Sequence, residues 1–141
     1  MGRISIDFPE KSIFETTTSV VVNDLNYGNH MGNERLLLHC HEARIRWLEE
    51  LGYSELNIEG VGIIQTAAAI VYRGEVHRGD QLTIEVFMEG PETKGFDLYY
   101  RVRSQQSQKV IGEVRTSFVF YNYIDQKVAR TPSPFMERIK S

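Results

Sequence analysis

One segment limits the possible folds more than any other. Across residues 34–51 the apolar side chains Leu36, Leu37, Cys40, Ala43, Trp47, Leu48 and Leu51 recur at helical spacing and form one broad stripe. A stripe that wide must be buried, so the rest of the chain has to supply an apolar surface of matching length. Asn33 stands where a side chain can cap the first turn, and Gly52 where a helix is commonly brought to an end. Arg44 falls inside the stripe and therefore calls for a carboxylate or carbonyl partner. Glu42 and Glu49 fall on the opposite, solvated side.

The surrounding sequence is strand-like. Residues 12–22 are rich in Thr, Val, Ile and Phe, which suit a pleated, half-buried surface. Residues 63–72 form an apolar run expected of a buried strand. Leu82, Ile84, Val86 and Met88 alternate with their neighbours, and after the Gly90–Pro91 break Phe96, Leu98, Tyr100 and Val102 alternate again. A turn at residues 77–80, stiffened by Asp80, and another at 104–108 punctuate this half, and a last strand spans residues 110–123. Pro132 and Pro134 then stop regular pairing. The order of strand, loop, helix and four strands predicts an α+β domain in which an antiparallel sheet packs on a single helix. Tyr99, Arg101 and Arg103, with Val119, Tyr121 and Tyr123, fall on the sheet face away from that helix. They predict an aromatic surface for a second copy, hence a homo-oligomer, either dimer or tetramer.

Composition narrows the function classes. The 141 residues suit one domain spanning the chain, and 41% hydrophobic content with 11% aromatics is enough for a real core. Sixteen Lys plus Arg against nineteen Asp plus Glu leaves a net charge of −3, which argues against a nucleic-acid partner. The lone Cys40 excludes an intramolecular disulfide and reads as a small core residue. His39, His41 and His77 lack the spacing of metal ligands, so no metal is expected. No leader-like start and no apolar run of membrane-spanning length is evident, which predicts a soluble cytoplasmic protein without a membrane partner.

Between the first strand and the helix, residues 23–33 hold four Asn, two Gly and one Asp, the composition of an irregular loop. Asp24-Leu-Asn-Tyr-Gly-Asn-His-Met-Gly-Asn33, then His41-Glu-Ala-Arg-Ile-Arg-Trp-Leu48, then Tyr72-Arg-Gly-Glu-Val-His-Arg-Gly-Asp-Gln-Leu82 together resemble the hotdog-fold acyl thioesterases of the 4-hydroxybenzoyl-CoA thioesterase type. The resemblance covers about 110 residues and rests on three motifs in order. It implies a hotdog fold, with an antiparallel β-sheet wrapped around one long central α-helix. It also implies hydrolysis of an acyl thioester carried by CoA or by an acyl-carrier protein, with CoA entering only as part of the substrate and no separate cofactor.

That family's loop commonly reads Asp-x-Asp-x-x-Gly-His-Val-Asn-Asn, which places its first Asp on Asp24, its His on His30 and its last Asn on Asn33. Its second Asp, the nucleophile or general base in many members, falls on Asn26. An amide cannot serve as a base at neutral pH, and losing a positioned base forfeits about 10²–10⁴ in rate. Plant acyl-carrier-protein thioesterases carry an Asn and a His in this loop, and the match puts their His on His30 and their Asn on Gly28. The resemblance therefore implies that His30 takes a proton from attacking water oriented by Asn26 or Asn29. The plainer alternative is that His30 bonds the backbone and stiffens the loop. The start of the helix, with amide donors at Gly32 and Asn33, is the expected oxyanion site. Gly28 and Gly32 either admit the acyl chain close to the backbone or only shape the loop. Arg73, Arg78, Lys94, Arg101 and Arg103 are the cations within reach of CoA phosphates or an acidic carrier. A second reading keeps the fold without turnover: Asn26 leaves a protein that binds acyl-CoA and releases it unchanged.

Overall fold

The computed structural model describes residues 4–26 and 31–140, apart from the side chain of Asn33. Its elements are β1 (Ser12–Ser19), α1 (Asn33–Glu50), β2 (Gly62–Tyr72), β3 (Gln81–Glu89), β4 (Gly95–Ser104), β5 (Val110–Asn122), β6 (Lys127–Ala129) and α2 (Ser133–Lys140). A single 3-10 turn, Val22–Asp24, follows β1. The strands form one antiparallel sheet in the order β1-β3-β4-β5-β2, with β6 added beside β5. β2 is therefore an edge strand, although it is 11 residues long.

α1 lays its stripe on the inner face of this sheet. Leu36, Cys40, Ala43, Trp47 and Leu48 are buried in one core with Leu82, Ile84, Leu98, Val102, Val114 and Phe120, while Leu37 and Leu51 pack at its margin. Each fully buried leucine contributes about 1.5–3 kcal/mol relative to exposure. β5 comes close to the helix because residue 112 has no side chain: a Cβ there would stand 2.6 Å from Leu36 Cδ2. The helix ends as the sequence predicts. Gly52 has φ +82, its N–H donates to the Glu49 carbonyl at 2.9 Å, and the Tyr53 N–H reaches the Leu48 carbonyl at 2.8 Å. Its start differs by one residue: Gly32, not Asn33, is the N-cap, and Asn33 is already helical. Gly32 offers no side-chain cap, and the Arg35 N–H turns back to the Gly32 carbonyl at 3.0 Å.

Three features depart from expectation. β1 ends at Ser19 rather than Val22, because Val22 to Asp24 coil into the 3-10 turn. Two elements follow β5 that the sequence reading did not include: Lys127 to Ala129 pair with β5, and Ser133 starts α2. Pro134 does stop strand pairing, but it sits in the first turn of a helix, where its missing N–H costs little. The apolar pair Phe135 and Ile139, four apart, was the overlooked signal. Phe135 is fully buried among Trp47, Tyr53, Phe96 and Phe120, with ring centroids 5.5–6.4 Å away. The outer sheet face is also less available than expected. Tyr99 is only 2% exposed because residues 4–8 cross it, with the Phe8 ring 5.5 Å from Tyr99 and 5.2 Å from Phe87. Tyr123 remains 47% exposed.

Candidate active site

Asp24 ties together the described ends of the 23–33 loop. After β1 the 3-10 turn reverses the chain and brings the Asp24 side chain under its own backbone, where Oδ2 accepts the Val21 N–H at 2.8 Å. The Asp24 carbonyl accepts the Gly32 N–H at 2.9 Å, and Leu25 pairs with Met31 in an isolated antiparallel bridge. The two described ends of the loop, residues 24–25 and 31–32, are therefore held together at a neck, with the first turn of α1 attached to them. Asn26 stands exposed just past the neck. Gly28, Asn29 and His30 lie outside the described residues.

This geometry changes the expected oxyanion site. The Gly32 N–H is already donated to Asp24, so of the two amides singled out in the sequence only Asn33 keeps the position of a helix-start donor, pointing out of the first turn with no intrahelical acceptor. Gly32 serves in another way: a Cβ there would stand 2.9 Å from Glu34 Oε1, so glycine lets the Glu34 carboxylate fold back beside the helix start.

A cleft of about 180 Å³ opens next to this turn, lined by Met31, Leu36, Tyr72, Gly74, Glu75, Val76 and Ile111. Its walls are largely apolar, as an acyl group requires. Tyr72, 44% exposed at the end of β2, has its hydroxyl pKa raised by partial burial and further by the negative charge of Glu34. A wider, more polar cleft of about 410 Å³ lies across the helix and includes Thr18, Asp24, Arg35, His39 and Arg46.

His39 is the residue that sequence reasoning missed. It is 9% exposed, its Nε2 lies 3.0 Å from Asp24 Oδ2, and its Nδ1 lies 2.8 Å from Thr18 Oγ1. A carboxylate only accepts, so Nε2 carries the proton, and in the neutral ring Nδ1 accepts the Thr18 hydroxyl. The available signal was a histidine beside the apolar stripe, between Leu36 and Cys40. Its partners, 15 and 21 residues away, had no spacing to announce them.

The other polar residues of α1 have different duties. Arg44, 6% exposed, finds the carboxylate its position demanded: Nε donates to Glu55 Oε2 at 2.7 Å and Nη1 to the Tyr100 hydroxyl at 3.2 Å, with the guanidinium 4.7 Å above the Phe118 ring. His41 Nε2 lies 2.7 Å from the other Glu55 oxygen, and Tyr100 is hydrogen-bonded to Thr116 at 2.8 Å. Burial pushes the Tyr100 hydroxyl up to about 12. Burial also pushes the Glu55 carboxyl up, but bonds from His41 and Arg44 outweigh it and hold Glu55 below its ordinary value. Cys40 is a core residue as expected, its thiol raised far above the normal range by burial, which rules against a thiolate nucleophile. Glu42 and Glu49 are exposed. Asp80 does stiffen its turn, accepting the His77 N–H at 2.8 Å.

Of the five cations considered for phosphate contact, Arg73 is hydrogen-bonded to Glu113, Arg101 stacks 4.4 Å over Phe8, and Arg103 lies 3.9 Å from Glu85. Arg78 and Lys94 are exposed. Among the described residues no group of three His, Cys, Asp or Glu side chains is placed to hold a metal ion, and no helix is long and apolar enough to cross a membrane.

A single helix wrapped by an antiparallel sheet, with an Asn- and Gly-rich loop fastened to the helix start, defines the hotdog class. The chain belongs to the thioesterase-like superfamily, whose family model matches residues 20–139. A comparison with curated proteins finds no match. Among solved structures, Slr0204, a 1,4-dihydroxy-2-naphthoyl-CoA thioesterase from Synechocystis, is similar with a TM-score of 0.82 and 22% identity, covering 91% of this chain and 96% of that one. SAV2348 from Staphylococcus aureus, solved in complex with CoA, gives 0.80 and 16%, covering 96% and 86%. The 12:0-ACP thioesterase from Umbellularia californica gives 0.77 and 12%, covering 90% of this chain and 52% of that one. Identities this low establish the hotdog fold and say nothing of which acyl group is handled.

Proposed function

We propose that the protein hydrolyses an acyl-CoA thioester at the start of α1. The observation that carries this reading is the loop neck itself: Asp24 fastens the loop to Gly32, next to the Asn33 amide and beside an apolar cleft of about 180 Å³. The acyl group lies in that cleft and its carbonyl oxygen faces the Asn33 N–H. Water, oriented by Asn26 or Asn29, attacks the carbonyl carbon while His30 accepts its proton. The oxygen gains negative charge, which the Asn33 N–H and the positive end of the helix stabilise, a kind of contact typically worth about 10²–10³ in rate. The C–S bond then breaks, His30 returns the proton to the departing thiolate, and free acid and thiol leave. Gly28 lets the acyl chain approach the backbone, while the space beside Gly32 is taken by the Glu34 carboxylate. No cofactor enters this scheme. CoA as the thiol carrier is supported by the CoA bound to the similar SAV2348 structure, and an acyl-carrier protein is the competing carrier.

A homodimer fits this reading. β2 is a long edge strand whose residues 65–69 are exposed and include Ala67, Ala68 and Ala69, small enough for a second β2 to pair alongside. Tyr72 ends the same strand, so that pairing would finish the wall of the acyl cleft.

Thiol release measured over straight-chain and aromatic acyl-CoAs tests the proposal. Turnover of at least one thioester is expected, with a loss of about 10²–10⁴ in His30→Ala. No turnover of any of them, or a His30→Ala variant equal to wild type, overturns it. The binder reading draws on one observation, the exposed amide of Asn26 where a carboxylate would act as base. It predicts an inactive wild type that gains activity as Asn26→Asp, whereas an asparagine-dependent site loses activity on the same change.

A further inference from the structure

We propose that Thr18, His39 and Asp24 form a positioning relay that sets the register of the catalytic loop against the start of α1. The inference rests on the hydrolase reading above, and assigns a duty to three residues outside the reacting groups. All three are at most 9% exposed, and they come from three separate elements: β1, the 3-10 turn and the second turn of α1. Thr18 is the fixed end, because β1 pairs it opposite Leu82 in the sheet. His39 bridges, with 2.8 Å to Thr18 Oγ1 and 3.0 Å to Asp24 Oδ2. Asp24 is the loop end: its carboxylate also holds the Val21 N–H, and its carbonyl holds the Gly32 N–H.

The arrangement has a directional logic. A core that only needed filling at residue 39 would take a leucine, as residue 36 does. A histidine there satisfies a buried carboxylate that would otherwise be costly. That carboxylate belongs to the residue closing the loop on which Asn26, Asn29 and His30 ride. A shift of about 1 Å in such a frame can cost about 10²-fold in rate without touching substrate. Binding of the acyl group in the apolar cleft does not involve the relay, so the relay acts on kcat rather than KM.

The test compares His39→Ala, His39→Gln and His39→Asn on the full chain, using benzoyl-CoA and a straight-chain acyl-CoA series. A Gln side chain reaches the Nε2 position and can donate to Asp24, whereas an Asn reaches only the Nδ1 position near Thr18. The relay predicts kcat lowered about 10–100-fold in Ala and Asn, KM within about threefold, and most of kcat recovered in Gln. A merely space-filling or polar role treats Gln and Asn alike and lowers thermal stability without lowering kcat per folded molecule. Equal kcat in folded wild type and His39→Asn overturns the relay. Amide exchange at Val21 and Gly32 keeps this independent of the enzymatic reading. If wild type turns over no thioester, the hydrolase proposal has failed. Faster exchange at both amides in His39→Asn then still supports the clamp, and unchanged exchange overturns it.

Discussion

Two polar networks, each built around a buried charge, hang from the same helix, and their contrast separates what stabilises this fold from what serves its site. Near the middle of α1, Arg44 joins Glu55, His41, Tyr100 and Thr116. One turn nearer the start, His39 joins Asp24 and Thr18. Both satisfy buried charge with hydrogen bonds of ordinary length, and among the described residues no buried side-chain nitrogen or oxygen lacks a partner. They differ in what lies at the far end. The Arg44 network ends on β4 and β5, in the centre of the sheet, so it locks rigid parts to each other. The His39 network ends on a turn whose carbonyl closes the loop. The same chemistry is thus a brace in one place and a setting device in the other.

Breaking the brace should give the largest change in stability. Glu55→Ala leaves the Arg44 guanidinium buried without its carboxylate and is expected to destabilise the protein by about 3–5 kcal/mol, read by urea unfolding. Activity per folded molecule should hardly change, and a kcat loss as great as that of the His39 variants would erase the contrast. Breaking the setting device should cost less fold and more function. His39→Ala leaves a buried acceptor short of one bond, worth about 1–3 kcal/mol, while kcat falls as argued above. Gly52→Ala offers a control at the far end of α1, remote from both networks. Forcing a Cβ onto φ +82 should cost about 1–2 kcal/mol with no kinetic effect. Thermal melts and thiol-release rates on the same samples decide all three.

The two networks were unequally legible in the sequence. Arg44 announced itself, because a cation inside an apolar stripe demands a partner, and Glu55 with Tyr100 supplied it. Helix α1, its glycine stop and the four long strands were readable because periodicity and turn residues are local signals. The closing helix was hidden by Pro132 and Pro134, which look like terminators until Phe135 is seen filling the gap beside Trp47. Asp24 was visible only as a motif position. Its link to His39 depends on how a 3-10 turn folds one side chain under α1, and no spacing rule carries that information. The helix start was placed to within one residue, yet that residue mattered: with Gly32 as N-cap and its amide given to Asp24, Asn33 is the one of the two expected amides that stays at a helix-start position.

Acid should loosen the brace, by less than any of these substitutions. Glu55 sits below its ordinary value near 4.5, because bonds from His41 and Arg44 outweigh the opposing effect of burial. A folded-state value below the unfolded one means the unfolded chain takes up the proton first as pH falls. The stabilisation is complete above the unfolded value and is lost as pH drops through the lower folded one. Urea unfolding of wild type and Glu55→Gln from about pH 7 to about pH 3 isolates this contribution, since other carboxylates titrate in both. The gap in stability between them should stay constant down to the ordinary carboxylate range and narrow below it. A gap that is unchanged throughout would mean that Arg44 is held by Tyr100 and the Phe118 ring, with Glu55 contributing a hydrogen bond and no charge.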